Sequence, residues 1–145
     1  MANDEMYTPS WIFKALNTEF DLDVASPENG TGIVPAKQFY SIKDNGLVQA
    51  WNGLVWMNPP YSKPAPWIDK WLEHNNGLAL LPLSGNSKWF RKLWLSECPV
   101  VLITPNTSFF DPTGLLKTIW VGLTLWAIGN QATEILHQSN LGKIR

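Results

Sequence analysis

Four residues near the middle of the chain, Asn58-Pro59-Pro60-Tyr61, have the types and the order needed to hold a planar amino group. The Asn58 side-chain oxygen and the Pro59 carbonyl are hydrogen-bond acceptors that can converge on the two protons of an –NH₂ group. The Tyr61 ring can stack on the planar system that carries this group. Since Pro59 and Pro60 lack an N–H, neither can continue a sheet, and the carbonyls beside them keep a fixed direction. The alternative interpretation is a strand followed by a proline-rich turn.

An apolar run places this motif at the end of a strand. Residues 54–57 are apolar and β-prone, which predicts a buried strand that stops at Asn58. In open α/β sheets, ligands bind beyond the carboxyl ends of the strands. We therefore expect Asn58 to lie at the ligand-binding edge of the sheet.

A second candidate for ligand binding lies upstream. Residues 20–26 alternate between apolar and polar side chains, which predicts a strand that leads into the small-residue loop 27–32. A nucleotide-type cofactor needs such a loop, because the backbone must approach it closely. Asp44 stands beside the turn signal Asn45-Gly46, where its carboxylate can accept hydrogen bonds from a ligand amine or stabilise the turn. A plain strand and turn is the simpler interpretation of residues 20–32.

The surrounding patterns predict the elements that must position these residues. Strands and helices alternate, which is typical of βαβ crossovers and a mostly parallel sheet. The predicted elements up to the motif are a helix over 7–20 capped by Thr8 or Ser10, strands at 20–26 and 39–41, and the strand at 54–57. Those beyond it are a helix over 67–74 ended by Asn75-Asn76-Gly77, a strand at 77–83, a helix carrying Trp89, Phe90, Leu93 and Trp94, a strand at 99–103, a polar loop at 104–114, a last strand at 119–128 and a helix over 133–138. The last strand is expected to pair antiparallel, with a buried helix as the rival assignment.

The composition limits the classes of function. At 145 residues with 45% hydrophobic side chains, the chain fits one globular domain. Its formal charge of −1 gives no overall basic character for nucleic-acid binding. Any contact with DNA therefore needs a local patch, for which the candidates are Lys88, Arg91 and Lys92, or Lys63 and Lys70.

Cysteine and histidine are too sparse for two common kinds of site. The only cysteine is Cys98, so an internal disulfide is impossible, and with His74 and His137 far from it no metal site is expected.

The first residues are acidic and lack the apolar core of a signal peptide, and the apolar stretch at 115–128 is too short to span a bilayer. We expect a cytoplasmic protein without a membrane segment.

Taken together, these segments resemble the phage-type DNA adenine-N6 methyltransferase family. Four stretches within residues 7–95 carry the resemblance, in family order. They are Tyr7-Thr8-Pro9 before a helix, Leu22-Asp23-Val24-Ala25-Ser26 with Asn29 soon after, Val55-Trp56-Met57-Asn58-Pro59-Pro60-Tyr61-Ser62 with Trp67 beyond it, and the strand Leu80-Leu81-Pro82-Leu83. The third stretch is the highly specific one.

The resemblance implies a fold, a cofactor and a substrate. The fold is a Rossmann-like methyltransferase in one minimal domain, an α/β sheet that is mostly parallel with an antiparallel edge strand and has helices on both faces. The cofactor is S-adenosylmethionine, and the substrate is the N6 amine of a flipped-out adenine in DNA.

The resemblance also implies roles for individual residues. The implied catalytic residues are Asn58, Pro59 and Tyr61. The implied cofactor contacts are Thr8, Pro9, Asp23, Ala25, Ser26, Asn29, Asp44 and Asn58. The substrate contacts expected beside them are Pro60, Tyr61, Ser62, Lys63, Trp67, Ser84, Asn86, Lys88 and Phe109.

The chain departs from the family pattern in two places. The loop Ala25-Ser26-Pro27-Glu28 lacks the Phe-x-Gly-x-Gly pattern of larger adenine methyltransferases. Residues 105–110 lack the Gly-Arg found there in relatives, so the arginine that could contact DNA or close the site is missing. With no insertion for a separate target-recognition domain, recognition is expected from loops or from a second subunit in a homodimer. The candidate loops are 27–38, 62–66, 84–90 and 104–114.

Three other functions share parts of this pattern. The same motif serves methyltransferases that act on RNA bases or on a glutamine side-chain amide in proteins, since each target is a planar –NH₂. A catalytically weak or inactive relative would bind the cofactor and act by association with DNA or a partner. A structural module with a proline turn would bind no cofactor.

Overall fold

A six-stranded sheet with helices on both faces forms the centre of the fold. The computed structural model describes residue 8 and residues 10–27, 33–103, 108–110, 116–118 and 122–145, with 108–110 and 116–118 described by their backbone alone. The first half contains α1 (Ser10–Leu16), β1 (Phe20–Asp23), β2 (Ala36–Phe39), a 3-10 turn (Gly46–Val48), β3 (Val55–Met57) and α2 (Ala65–His74). The second half contains β4 (Gly77–Pro82), α3 (Lys88–Leu95), β5 (Val100–Ile103), β6 (Ser108–Phe110), β7 (Leu116–Thr118), β8 (Leu123–Ile128) and α4 (Asn130–Gln138).

The strands lie in the order β2-β1-β3-β4-β8-β5. β1 pairs in parallel with both β2 and β3, in registers that set Asp23 beside Phe39 and Trp56, and β3 pairs in parallel with β4. β8 runs antiparallel to β4 and β5 and is the reversed strand among these six. The carboxyl ends of β1 to β4 therefore meet at one edge of the sheet.

Alternation along the central strands divides the core into two layers. Trp56 of β3 faces α1 and packs edge-on against Phe13, with ring centroids 4.7 Å apart. Its neighbours Val55 and Met57 face the other layer, where they meet α2 and α3. All three β3 side chains are at most 1% exposed. Because fully burying a large apolar side chain stabilises by roughly 1.5–3 kcal/mol, β3 is firmly anchored just before Asn58.

The predicted fold class is confirmed, with a mostly parallel sheet, one reversed strand and helices on both faces. The reversed strand lies toward the β5 end of the sheet, between β4 and β5. It is β8, so the predicted antiparallel last strand is confirmed for Leu123–Ile128, whereas residues 119–121 lie outside the described part.

Three helices differ from their predicted bounds, among them α4, which begins at Asn130 and not at Thr133. For α1 and α2 the reasons are local. α1 begins at Ser10 and ends at Leu16, because Asn17 has a φ of 48° and this left-handed conformation stops the helix. α2 begins at Ala65, two residues early, because Pro66 fits the first turn, where its missing N–H has no partner to lose.

Two segments form strands that the local pattern did not place correctly. The strand expected at 39–41 lies at Ala36–Phe39, because pairing with β1 sets its position. The expected loop 104–114 contains β6, which pairs antiparallel with β7 in a two-stranded sheet. Both predictions were wrong because a strand depends on a partner that the local window does not contain.

Candidate active site

Asn58 directly follows β3 at the carboxyl edge of the sheet. Its side chain is partly buried, and Nδ2 donates a 3.1 Å hydrogen bond to Oγ1 of Thr8, a residue that is 3% exposed. Because the nitrogen and the oxygen of an amide point in different directions, this contact turns Oδ1 away from Thr8. The oxygen of Asn58 is therefore the end that can accept a hydrogen bond from a ligand.

The two proline carbonyls that follow differ in what they contact. The Pro60 carbonyl accepts a hydrogen bond from the Lys63 N–H at 3.3 Å, which closes a turn. No backbone N–H of the described residues donates to the Pro59 carbonyl. Asn58 Oδ1 and the Pro59 carbonyl are thus two acceptors on consecutive residues at the same edge of the sheet.

Tyr61 is tied to the neighbouring strand. Its ring is partly buried and packs against the core layer on the α1 side. Its hydroxyl donates to the Leu80 carbonyl of β4 at 3.3 Å. Burial raises the pKa of the Tyr61 hydroxyl well above its ordinary value, so the group stays a neutral donor. The tether fixes the position of the ring, and stacking on a substrate stays a prediction.

Asp23, the last residue of β1, carries a buried carboxyl group that is 2% exposed. Among the described contacts, one hydrogen bond reaches it, from the Ala25 N–H to Oδ1 at 3.2 Å, and no Lys or Arg forms an ion pair with it. Burial raises the pKa of Asp23 to about 7, against the smaller lowering effect of the Ala25 hydrogen bond. Near neutral pH this carboxyl group is partly protonated, and a positive charge beside it would favour the ionised form.

The backbone after β1 is held from both sides. The Tyr40 N–H donates to the Asp23 carbonyl and the Ser26 N–H donates to the Tyr40 carbonyl, both at 2.9 Å, so the chain after β2 follows β1 past its end. On the other side, the Val24 N–H donates to the Trp56 carbonyl of β3 at 3.1 Å. The end of β1 is therefore fixed one strand away from the Asn-Pro-Pro-Tyr motif.

A support behind this loop was not predicted from the sequence. Gly46 lies so close to β1 that a Cβ there would stand 2.0 Å from the Val24 carbonyl oxygen. The Gly46 carbonyl accepts a hydrogen bond from Trp51 Nε1 at 2.8 Å, and Lys70 Nζ on α2 donates to three carbonyls of residues 46–49. Partial burial lowers the pKa of Lys70. Of this support, only the Asn45-Gly46 turn could be read from the local sequence. The contacts with Trp51 and Lys70 join segments that lie apart in the chain.

Asp44 closes a turn at the end of β2. Its side chain is exposed, and Oδ2 accepts hydrogen bonds from the Ser41 N–H at 2.8 Å and the Ser41 hydroxyl at 3.2 Å. Of the two roles that the sequence left open, stabilising the turn is the one that these contacts show. A contact with the cofactor stays a prediction.

A model of the family described as DNA N-6-adenine-methyltransferase matches residues 1–120 of the chain. The chain belongs to this family. A DNA N-6-adenine-methyltransferase of Haemophilus phage HP1 is 35% identical over 67% of this chain. One of Escherichia phage T1 is 34% identical over 62% of it.

The match to these relatives is partial in length. The aligned part covers 60% of the Haemophilus phage protein and 39% of the Escherichia phage protein, so the chain spans less than two thirds of either. The family match itself extends from before α1 to beyond β7, and it contains the whole Asn-Pro-Pro-Tyr motif and the end of β1.

The substrate contacts expected of a member of this family lie mostly on two neighbouring loops. Ser62 and Lys63 are exposed in the turn after β3, and Asn86 and Lys88 are exposed after β4, all at the edge where Asn58 lies. Ser84 is partly buried in the second loop, and its hydroxyl is hydrogen-bonded to that of Ser87.

Trp67 is placed differently from the other expected substrate contacts. It is 9% exposed and stacks against Trp51, with ring centroids 6.4 Å apart, in the core layer beneath α2. This position matches the packing role of a core ring, so we leave Trp67 out of the proposed substrate contacts.

Three residues singled out by the family resemblance lie outside the described part. They are Pro9, Asn29 and the side chain of Phe109, whose backbone belongs to β6.

A further depression and two absences concern the described residues away from Asn58. A depression of about 450 Å³ lies at the amino ends of β1 and β2, between α1 and Pro35, at the edge opposite Asn58. Over the described ranges, no three His, Cys, Asp or Glu residues come together as a metal site. No helix of these ranges is long and apolar enough to cross a membrane.

Proposed function

We propose that this chain transfers a methyl group from S-adenosylmethionine to the N6 amine of adenine in DNA. The observation that carries the proposal is the pair of acceptors at the carboxyl edge of the sheet, Asn58 Oδ1 and the Pro59 carbonyl, with the Asn58 amide held by Thr8. Membership of the family and the names of both phage relatives agree with this activity.

The two acceptors suit a weakly nucleophilic amine. The lone pair of the adenine N6 amine is delocalised into the ring, so the nitrogen is a poor nucleophile. Asn58 Oδ1 and the Pro59 carbonyl accept hydrogen bonds from its two N–H groups, which favours a pyramidal nitrogen with its lone pair directed outward. This chemistry needs no strong base, and catalysis consists of positioning and a matched electrostatic environment. Tyr61 stacks on the flipped base, a contact worth roughly 1–3 kcal/mol.

The residues at the end of β1 fit S-adenosylmethionine, which supplies an electrophilic methyl group when bound. The buried carboxyl group of Asp23 has no basic partner among the described side chains, and a ligand with positive charge provides one. Asp23, Ala25 and Ser26 would hold the cofactor. Thr8 and Asp44 stay further cofactor contacts of the proposal, together with Pro9 and Asn29.

A local basic patch is the proposed contact with DNA. Of the basic residues that the sequence singled out, Lys92 pairs with an aspartate of α2 at 2.7 Å, and Lys70 is bound to backbone carbonyls. Lys63, Lys88 and Arg91 are exposed and form no ion pair within the described ranges. Because they follow β3 and β4 at the edge of the candidate site, we assign them to the phosphate groups that flank the flipped base.

A homodimer and a location in the host-cell cytoplasm belong to the same proposal. Both relatives come from phages, and phages multiply inside host cells. A second subunit would add recognition surface to the short loops of this chain. Light scattering on the purified protein measures its oligomeric state and tests the dimer.

The proposal is tested with Asn58→Ala and a matched asparagine variant. Transfer of labelled methyl groups is measured on separate DNA, RNA and protein substrates, and cofactor affinity by calorimetric titration. Asn58→Ala is expected to lose at least about a hundredfold in turnover on DNA, the size of one lost electrostatic contact to the reacting group, with cofactor affinity within a fewfold. Asn52→Ala, at an exposed site before the amino end of β3, is expected to keep the parental rate. Methylation of DNA at the parental rate by Asn58→Ala would show that the acceptor is assigned wrongly.

A further inference from the structure

The two ends of the Asn58 side chain have opposite hydrogen-bonding properties. Oδ1 only accepts and Nδ2 only donates, while the two ends have nearly the same size and shape. Packing alone therefore does not choose between the two orientations that a half-turn of the amide exchanges. For a substrate amine, which presents N–H groups, the choice is decisive, since the wrong orientation sets two donors against each other.

In the structure, one hydrogen bond holds the amide with its Nδ2 end toward Thr8. Asn58 Nδ2 donates to Thr8 Oγ1 at 3.1 Å, and Thr8 is 3% exposed, so water has little access as a competing partner. Thr8 lies just ahead of α1 and is 50 residues away from Asn58 in the chain. The contact thus joins the entry of α1 to the end of β3.

We infer that Thr8 is a positioning residue that holds the Asn58 amide in place, with Oδ1 facing the substrate amine. This inference rests on the proposed function and gives Thr8 a role beyond that of a cofactor contact. Thr8 acts on the reaction through Asn58. The hydroxyl is the group that forms this hydrogen bond, so serine can replace threonine and valine cannot.

The first experiment compares Thr8→Val with Thr8→Ser in methyl transfer to DNA. Valine keeps the branched shape without the hydroxyl, and it is expected to lower turnover about three- to tenfold, the size of one hydrogen bond, with a smaller loss of cofactor affinity. Serine keeps the hydroxyl and is expected to restore turnover to within about twofold of the parent. A parental turnover in Thr8→Val, or a loss of cofactor affinity as large as the loss of turnover, would overturn the inference.

The second experiment repeats Thr8→Val in the Asn58→Ala background, on the residual turnover of that variant. Alanine has no side-chain amide for Thr8 to hold, so the valine substitution is expected to change the residual turnover by less than about twofold. An equal loss in both backgrounds would show that Thr8 acts independently of Asn58, and the inference would be wrong.

A third measurement does not depend on activity. In ¹⁵N spectra of the asparagine-labelled protein, the Asn58 side-chain NH₂ signals should shift in Thr8→Val and stay in place in Thr8→Ser, with the Asn52 signals as the control. If the parent methylates nothing but the Asn58 signals respond in this way, the proposed function fails while the hydrogen bond is confirmed. If these signals are the same in Thr8→Val and in the parent, Thr8 does not hold the Asn58 amide and the inference is wrong.

Discussion

Asp23→Asn is expected to stabilise the folded protein above neutral pH and to lose this advantage as the pH falls. The Asp23 carboxyl group is 2% exposed, and burial raises its pKa to about 7. Between these two pKa values, 3.8 in the unfolded chain and about 7 in the folded protein, the folded protein holds a proton that the unfolded chain has released. The contribution of the Asp23 carboxyl group to the unfolding free energy is therefore fully present below pH 3.8, and it is lost as the pH rises through about 7. Asparagine has no charge to bury, so the unfolding free energy of the Asp23→Asn variant does not fall with rising pH in this way.

The magnitude follows from the two pKa values. Between 3.8 in the unfolded chain and about 7 in the folded protein, the change in unfolding free energy is about 4 kcal/mol, since one pKa unit corresponds to about 1.4 kcal/mol. The hydrogen bond from Ala25 is available to asparagine as well, and the amide NH₂ takes the place of the protonated carboxyl O–H. The free-energy cost of burying the asparagine amide is therefore similar at every pH.

The assay is chemical denaturation followed by tryptophan fluorescence, from pH 4.5 to pH 8.5. The difference in unfolding free energy between Asp23→Asn and the parent is expected to grow by about 3–4 kcal/mol over this range. Glu19→Gln removes an exposed carboxylate that forms no ion pair within the described residues, and it is the control, for which no comparable change with pH is expected. A difference for Asp23→Asn that does not change with pH would refute the interpretation of Asp23 as a buried carboxyl group without a counter-charge.

Two further predictions concern the Gly46 support behind the end of β1, where we propose that the cofactor binds, and the proposed contact with DNA. Gly46→Ala would place a Cβ 2.0 Å from the Val24 carbonyl oxygen, and we expect it to lower the unfolding free energy by about 1–3 kcal/mol and to weaken cofactor binding in calorimetric titration. The double variant Lys88→Gln and Arg91→Gln is expected to weaken DNA binding and to lower the slope of log affinity against log salt by about 2, because each lost phosphate contact removes about 0.9.

Each of these two predictions has a matched control. At Gly85 an added Cβ meets nothing within 4 Å, so Gly85→Ala should leave stability and cofactor binding unchanged. Wild-type cofactor affinity in Gly46→Ala would show that the 46–49 turn does not support the end of β1. Lys14→Gln with Lys143→Gln removes two exposed positive charges elsewhere and should keep the parental salt slope. If the salt slope fell equally in both double variants, DNA binding would depend on net charge and not on Lys88 and Arg91.

The sequence alone determined the backbone around the motif. Residues 54–57 were predicted as a buried strand from their apolar, β-prone side chains, and the two prolines predicted its end at Asn58; β3 covers Val55–Met57. The end of α2 at Asn75, which adopts a left-handed φ of 61°, was also predicted. These features are local, since side-chain shape, the missing proline N–H and the conformational range of each residue act within a few positions.

The tertiary structure decided what the site residues contact and how they are charged. The Asn58 amide is hydrogen-bonded to Thr8, and the support under the end of β1 joins Gly46 to Trp51 and Lys70. The raised pKa of Asp23 depends on burial by elements that pack around β1. No local pattern contains these effects, because a hydrogen bond needs its partner within about 3 Å and the loss of water needs the whole surrounding shell. The sequence thus determined where the chain leaves the sheet, and packing decided which partners hold the Asn58 amide and how far the Asp23 carboxyl group is buried.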